Sequence, residues 1–499
     1  MTELMNLEMV LPAPLTPPFP ERAKMSELGR VHFIGIGGAG MSAIAALMLQ
    51  AGVTVSGSDR AESATVESLR AAGARVGVPQ QAENIVDVDT VVISTAIRED
   101  NPELVAARAQ GLRVLHRSEA LAAVMGESQV VAVAGTHGKS TTSSMISVML
   151  DQLGAQPSFA VGTVIAGRGT NAHLGAQGPE SIFVAEADES DGSFVRYRPA
   201  IAVVTNVEPD HLDFYETEER VFEAFNRFVG SMAPNGVVVT CADDEGAAAL
   251  AARSRAAGVA VVTYGESEDA DLRISEITSA GSSSSSHLSW SFECRGVRYE
   301  GEQDLALKVP GIHNQLNASA AFASALISGY EAADIARALA EFVGADRRFT
   351  LRGEVAGVKV FDDYAHHPTE VFRALETGRT VADGHSLYVI FQPHLFSRTR
   401  EFAKEFAKAL SMADRAHVLD IYPARELPIE GVTSELITGA GFSEVRYATA
   451  EGAIEDIVTC AQDGDIVMIV GAGDVTTLGA RLLESLEIRH GGESKKSEA

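Results

Sequence analysis

The chain has 499 residues, enough for about three domains at ~150 residues each. Its 68 acidic residues outnumber 40 basic ones, a formal charge of −28, and such a surface repels both nucleic acid and anionic membrane. Cys241, Cys294 and Cys460 are far apart and odd in number, so neither a disulfide framework nor a Cys-x-x-Cys metal pair is expected.

No apolar run approaches the ~18 residues of a membrane helix. Glu3 and Glu8 stand where a signal peptide would be basic. These features suit a cytoplasmic protein. Residues 1–28 carry Pro12, Pro14, Pro17, Pro18 and Pro20 without an apolar period, which predicts a disordered or extended lead-in. From about residue 29, short β-branched runs alternate with Ala-rich helical stretches. The runs include residues 30–34, 90–93, 130–133, 201–204, 386–390 and 465–470. This rhythm predicts an α/β protein with mostly parallel sheets, whose ligands sit beyond the carboxyl ends of the strands. It divides into units at 29–128, 129–343 and 344–488. A serine run, Ser282 to Ser286 after Gly281, reads as a flexible loop tip between two strands, and residues 489–499 read as a flexible charged tail.

The first strand runs into Gly35-Ile-Gly37-Gly38-Ala39-Gly40 and then a helix over 43–50. Gly35, Gly37 and Gly40 fit a turn that lets backbone approach a diphosphate. Asp59, at the end of the next strand and 19 residues past Gly40, suits a ribose hydroxyl. The turn alone is compatible with NAD, another nucleotide diphosphate, or a purely structural role. A second strand–turn–helix holds Gly135-Thr136-His137-Gly138-Lys139-Ser140-Thr141. Val133 stands where the standard phosphate-loop spacing needs glycine. Even so, Gly138-Lys139-Ser140 supplies backbone N–H groups for phosphates, a lysine for the β/γ oxygens and a hydroxyl for Mg²⁺. Two acidic strand ends follow, Glu186-Ala-Asp188-Glu189-Ser-Asp191 and Asp210-His211-Leu-Asp213, an expected place for Mg²⁺ between nucleotide and substrate.

Together with Gly311-Ile312-His313-Asn314 and Asp362-Asp363-Tyr-Ala-His366-His367-Pro-Thr-Glu370, these motifs resemble the Mur ligases in order and spacing, over about residues 31–479. The resemblance is strongest to the branch that adds L-alanine and to a relative that recycles murein peptides. It implies a Rossmann-like N-terminal domain for a UDP-sugar, a central P-loop-type ATPase domain, and a Rossmann-like C-terminal domain for the amino acid. The implied substrates are UDP-N-acetylmuramate, L-alanine and ATP, with Mg²⁺ as cofactor; the chain would act as a monomer or weak homo-oligomer. Gly35, Gly37, Gly38, Ala39, Gly40 and Asp59 would then hold the UDP-sugar rather than NAD.

By the same resemblance, Lys139 holds phosphates, Ser140 and Glu186 ligate Mg²⁺, and His211 serves a second metal. His313, Asn314 and Asp363 contact the nucleotide. Arg347 and Arg348 contact developing phosphate charge and, with Lys139, make the cleft locally positive. His366 and His367 meet the substrate, with a metal site of Asp362, His366 and His367 as the competing reading. His394 is a further landmark. The sequence departs from the family pattern at Ser140, Ile312 and Leu395-Phe396-Ser397, and Phe225-Asn226-Arg227-Phe228 offers no lysine of the kind that sister ligases carbamylate. An NAD-dependent oxidoreductase and a non-catalytic nucleotide-binding scaffold are the readings from other classes.

Overall fold

The computed structural model describes residues 11, 15–16, 21–424 and 426–497, with Asp213 and residues 491–497 described by backbone alone. Three sheets organise the chain. The first has β1 (Val31–Ile34), β2 (Val55–Ser58), β3 (Arg75–Gly77), β4 (Thr90–Ile93) and β5 (Arg113–His116). All are parallel, in the order β3-β2-β1-β4-β5. The order reverses around β1, and in such sheets ligands bind at the reversal, beyond Ile34, where the first glycine turn lies.

The second sheet contains β6 (Gln129–Ala134), β7 (Ser158–Ile165), β8 (Thr170–His173), β9 (Ile182–Glu186) and β10 (Ile201–Val204). It continues through β11 (Val237–Cys241), β12 (Ala260–Gly265), β13 (Leu272–Ala280), β14 (Ser283–Cys294) and β15 (Val297–Leu307). The order β15-β14-β13-β12-β11-β10-β6-β9-β7-β8 puts β6 between β10 and β9, both parallel to it. The third sheet has β16 (Thr350–Val355), β17 (Val358–Asp363), β18 (Leu387–Phe391), β19 (Arg415–Val418), β20 (Val445–Tyr447) and β21 (Ile466–Val470). Its order is β16-β17-β21-β18-β19-β20, with β16 antiparallel at the edge. Central strands such as β10, β18 and β21 are buried along their whole length, as continuous Val/Ile runs require when helices cover both faces.

Two compact units emerge. One comprises residues 1–276, 287–305 and 316–342; the other comprises 277–286, 306–315 and 343–499. Helix starts follow local chemistry. Ser63, Asn101, Thr217, Asp244 and Thr449 each accept a first-turn N–H, and Pro102 occupies the first turn after Asn101. Among the described residues no helix is long and apolar enough to cross a membrane. All three cysteines are free thiols.

Three sequence expectations are corrected. The serine run is strand: only residues 281–282 turn, and Ser284 and Ser286 alternate inward on β14. Their hydroxyls meet the Val309 carbonyl at 2.8 Å and Gln315 Oε1 at 2.7 Å, so polar residues are buried at the cost of no lost hydrogen bond. The expected tail continues as helix Leu478–Ser497. The lead-in is also anchored where it is described. Leu11, Leu15 and Leu28 are buried, Met25–Glu27 forms a 3₁₀ turn, and the Leu15 carbonyl accepts Arg227 Nη1 at 2.9 Å. Its five prolines lie outside the described residues.

Candidate active site

The phosphate loop joins β6 to the helix Lys139–Gln152. Gly135 has φ +130°, and a Cβ there would lie 2.1 Å from Thr205 Oγ1. Gly138 has φ +81°, with Asn317 Oδ1 2.7 Å from its Cβ position. Glycine is therefore required at both, and the loop is stitched to the segment after β10. The His137 amide donates to Asn206 Oδ1 at 2.7 Å, and Thr136 Oγ1 donates to the Glu208 carbonyl at 3.1 Å.

Lys139 curls over this loop. Its Nζ donates to the carbonyls of Gly135 and Thr136 and to Glu189 Oε1 at 2.9 Å. Burial alone would lower its pKa, but Glu189, Asp188 and Glu186 outweigh burial and raise it, so the ammonium stays charged. Ser140 Oγ donates to Glu186 Oε1 at 3.0 Å, and the Gly162 amide donates to the other oxygen of Glu186. The structure thus brings Ser140 and Glu186, 46 positions apart in sequence, into direct contact.

 The pair sits where β6 and β9 end side by side, with Ser140 in the first turn of the helix after one and Glu186 the last residue of the other.

His211 takes a left-handed φ of +54° at the start of the short helix Leu212–Tyr215. Its Nε2 lies 3.6 Å from Glu189 Oε1 and 3.7 Å from Asp210 Oδ2. Burial opposes its protonation, but Asp210 and Glu189 raise its pKa overall. Glu189 therefore joins Lys139 to His211, and Tyr215 donates its hydroxyl to the Glu189 carbonyl. The locally positive surrounding expected of Lys139 is not found within this unit. Glu186, Asp188, Glu189, Asp191 and Asp210 crowd Lys139, Arg117 and His211 instead. Hard oxygen donors in an acidic setting suit Mg²⁺, and Ser140 with Glu186 fits it.

At the first glycine turn, the helix starts at Ala39, earlier than the sequence suggested. The amides of Gly35 and Ile36 both donate to the Ser58 carbonyl at 2.9 Å. Asp59, expected to meet a ribose hydroxyl, accepts the Gly37 amide through Oδ2 at 2.8 Å and the Arg60 amide through Oδ1 at 2.7 Å. Gly38, Ala39 and Gly40 lie at the start of the helix, where N–H groups favour an anion. Sequence reasoning missed Arg117, whose Nη2 donates to Asp188 and Asp191 at 3.0 Å each. These partners are 71 and 74 positions away, so no local motif announces them.

In the second unit, β17 delivers the Asp362–Glu370 segment. Asp362 is buried and accepts Arg352 Nη2 at 2.6 Å and Thr476 Oγ1 at 2.5 Å, with Arg347 Nε 3.6 Å away. It does not converge with His366 and His367 on a common metal position, which removes that competing reading. Asp363, expected to contact the nucleotide, is bound to the backbone beside it. It accepts the amides of Phe349 and Ala365 at 2.8 Å each, and burial pushes its pKa up to about 6 against the opposing Arg348.

His367, expected to meet the substrate, is buried and packs against Phe402 with ring centres 5.0 Å apart. His366 is partly exposed. Its Nδ1 lies 3.0 Å from the Tyr364 carbonyl, and burial holds its pKa down to about 3, so the ring is neutral near pH 7. It neighbours His394, at 5.8 Å between ring centres, and His394 stacks on Tyr422. Arg347 donates to the carbonyls of Gly471 and Gly473, and both Arg347 and Arg348 lie over the Tyr364 ring, at 4.8 and 5.3 Å. His313 is held down to about pKa 4 by burial and by Arg373 and Arg348, and Asn314 Nδ2 caps the Pro310 carbonyl at 2.7 Å.

Three family models cover most of this chain. Residues 30–129 match the model described as Mur ligase family, catalytic domain; 133–325 match Mur ligase middle domain; 347–473 match Mur ligase, glutamate ligase domain. The chain belongs to the Mur ligase family, with that family's three-domain α/β architecture. Among its relatives, the UDP-N-acetylmuramate–L-alanine ligase of Renibacterium salmoninarum is 56% identical over 94% of this chain and 99% of its own. The protein of that name from Paenarthrobacter aurescens is 53% identical, covering 93% and 98%. The crystal structure of UDP-N-acetylmuramate-alanine ligase from Thermotoga maritima superposes with a TM-score of 0.74 at 30% identity, covering 92% of this chain and 99% of that one. A murein peptide ligase from Psychrobacter arcticus gives 0.68 at 25% identity, covering 92% and 98%.

Proposed function

We propose that the chain is an ATP-dependent ligase that joins an amine to a carboxylate, and specifically that it joins L-alanine to the lactyl carboxylate of UDP-N-acetylmuramate, a step in building peptidoglycan precursors. The observation that carries this reading is the assembly at the end of β6: a glycine-shaped loop, Lys139 above it, and Ser140 on Glu186. Full-length relatives named for the alanine reaction favour L-alanine over a tripeptide.

A carboxylate is a poor electrophile. Transfer of the γ-phosphoryl group from ATP to a carboxylate oxygen gives an acyl phosphate and ADP. The amine nitrogen then attacks the acyl carbon, phosphate leaves, and the nitrogen loses a proton to give the amide. Such transfers need positioning and charge neutralisation more than a covalent protein group. Loop amides from Gly135 to Thr141 cradle the phosphates, and Lys139 exchanges its loop carbonyls for phosphate oxygens. Ser140 and Glu186 would hold Mg²⁺, which supplies neutralisation of phosphate charge. His211 orders the acidic side of the site through Glu189. Gly35 to Gly40 take the UDP diphosphate.

Residues 29–128, 129–343 and 344–488 serve as UDP-sugar, ATP and amino-acid domains in this reading. His366, neutral and partly open beside His394, is the amino-acid-side group. The enzyme works in the cytoplasm on small molecules, without nucleic acid or membrane, as a monomer or weak homo-oligomer; the charge of −28 supports the exclusion of polyanions. ADP release with Mg²⁺-ATP, UDP-N-acetylmuramate and L-alanine tests it. Release that requires both co-substrates is expected. Release with a tripeptide but not with L-alanine would overturn the amino-acid assignment.

A further inference from the structure

We infer that Arg117 binds the diphosphate of the UDP-sugar, opposite the glycine turn; this rests on the UDP-sugar reading above. Arg117 opens the helix Arg117–Met125 directly after β5, the edge strand beside β4. Both of its ion pairs, to Asp188 and Asp191, run through Nη2. Among the described residues, Nη1 and Nε have no protein acceptor. Nη1 lies 3.5 Å from where a Cβ on Gly40 would sit, so the unspent side of the guanidinium faces the first turn of the helix Ala39–Gln50. That is the helix whose amides form the diphosphate cradle.

The geometry suits the ligand. A guanidinium presents a planar fork of donors that matches phosphate oxygens, which an ammonium does not. The side chain is 17% exposed, so an anion meeting it is partly shielded from water while remaining able to enter. Holding two aspartates through one nitrogen leaves the other donors free for a ligand and fixes the plane of the fork. Asp191 has a second anchor, Thr95 Oγ1 at 2.9 Å, so Arg117 is not its sole support. The same guanidinium then touches both the sugar nucleotide and Asp188, two residues from Glu186. Occupancy of the sugar site is thereby placed in direct contact with the acidic strand end.

Calorimetric titration of the full chain with UDP tests this, using wild type, Arg117→Met, Arg117→Lys and Asp191→Asn. Arg117→Met is expected to weaken UDP at least tenfold and Arg117→Lys by less, with Mg²⁺-ATP affinity within threefold in each. In turnover, the KM for UDP-N-acetylmuramate rises at least tenfold while kcat stays within threefold. Wild-type UDP affinity in Arg117→Met would overturn the inference. An equal loss in Asp191→Asn would also overturn it, because Arg117 would then be a strut for the aspartates. If circular dichroism shows Arg117→Met unfolded, Arg117→Lys decides by the same criterion. A wild-type chain that binds no UDP would overturn the UDP-sugar reading itself.

Discussion

Replacing Gly135 by alanine tests the phosphate loop most directly. Two costs add. At φ +130° an L-residue pays roughly 1–3 kcal/mol of backbone strain. The new Cβ would also stand 2.1 Å from Thr205 Oγ1, and 3.0 and 3.1 Å from the amide nitrogens of Thr205 and Asn206. Thr205 must therefore retreat by nearly an ångström, and its backbone restrains it. Such overpacking costs about 1–3 kcal/mol. The sum is about 2–6 kcal/mol, a large part of the ~5–15 kcal/mol that holds a domain folded. Gly154→Ala is the control: φ is +82°, but nothing lies within 4 Å of its Cβ position, so it pays about 1–2 kcal/mol of strain alone.

Trp290, the only tryptophan, packs on Phe322 in the same unit, and its fluorescence in urea reports the unfolding of that unit. Gly135→Ala should lower the midpoint well beyond Gly154→Ala and abolish ATP-dependent turnover, which Gly154→Ala keeps. Equal shifts in the two variants would refute the steric argument.

Lys139→Met should cut kcat/KM by about 10²–10³-fold, as loss of one charge-stabilising donor does elsewhere; initial rates of ADP release measure it, and near-normal turnover would remove Lys139 from the phosphate site. Ser140→Ala should raise the Mg²⁺ concentration for half-maximal rate by roughly 10–100-fold, whereas Ser140→Thr, which keeps the hydroxyl, should stay close to wild type in the same metal titration. Asp363→Asn tests the buried carboxyl. With its pKa raised from 3.8 to about 6, the native state holds that proton more tightly than the unfolded chain, so its contribution is full below pH 4 and lost as pH rises through 6. His313 and His366, lowered from 6.5 to about 4 and 3, act in the opposite sense: their contributions are full above pH 6.5 and lost on acidification. Removing Asp363 should therefore steepen the rise of stability between pH 4 and 6 by about 1.4 kcal/mol per pH unit, read from urea unfolding by circular dichroism; an unchanged slope would count against its burial.

The parts of the fold legible in the sequence are those that short-range chemistry dictates. Glycines at 37, 135 and 138 mark strand-to-helix turns because backbone passes close to Asp59, Thr205 and Asn317 there, and the Val/Ile runs mark strands buried on both faces. Ser283 to Ser286 escaped because a serine strand has no apolar alternation, and its inward hydroxyls find partners only through Val309 and Gln315. Asp59 and Asp363 both sit at strand ends, and each carboxylate also accepts two backbone amides, which neither strand position nor motif order announces. Position along a strand tells where these groups are, and the loop that follows sets which backbone amides they accept. Arg117 was invisible for a further reason: its partners come from another strand end, brought near only by the fold.

The contact between Leu15 and Arg227 spans 212 positions of sequence. During synthesis at ~5–20 residues per second, Leu15 must wait about 10–40 s before its partner has even been made. Throughout that interval the first sheet can form, since its last strand ends at His116. The leading segment therefore closes onto the second sheet's helices after the domain that follows it in sequence, and two leucines that end in the core begin life exposed to whatever the nascent chain meets.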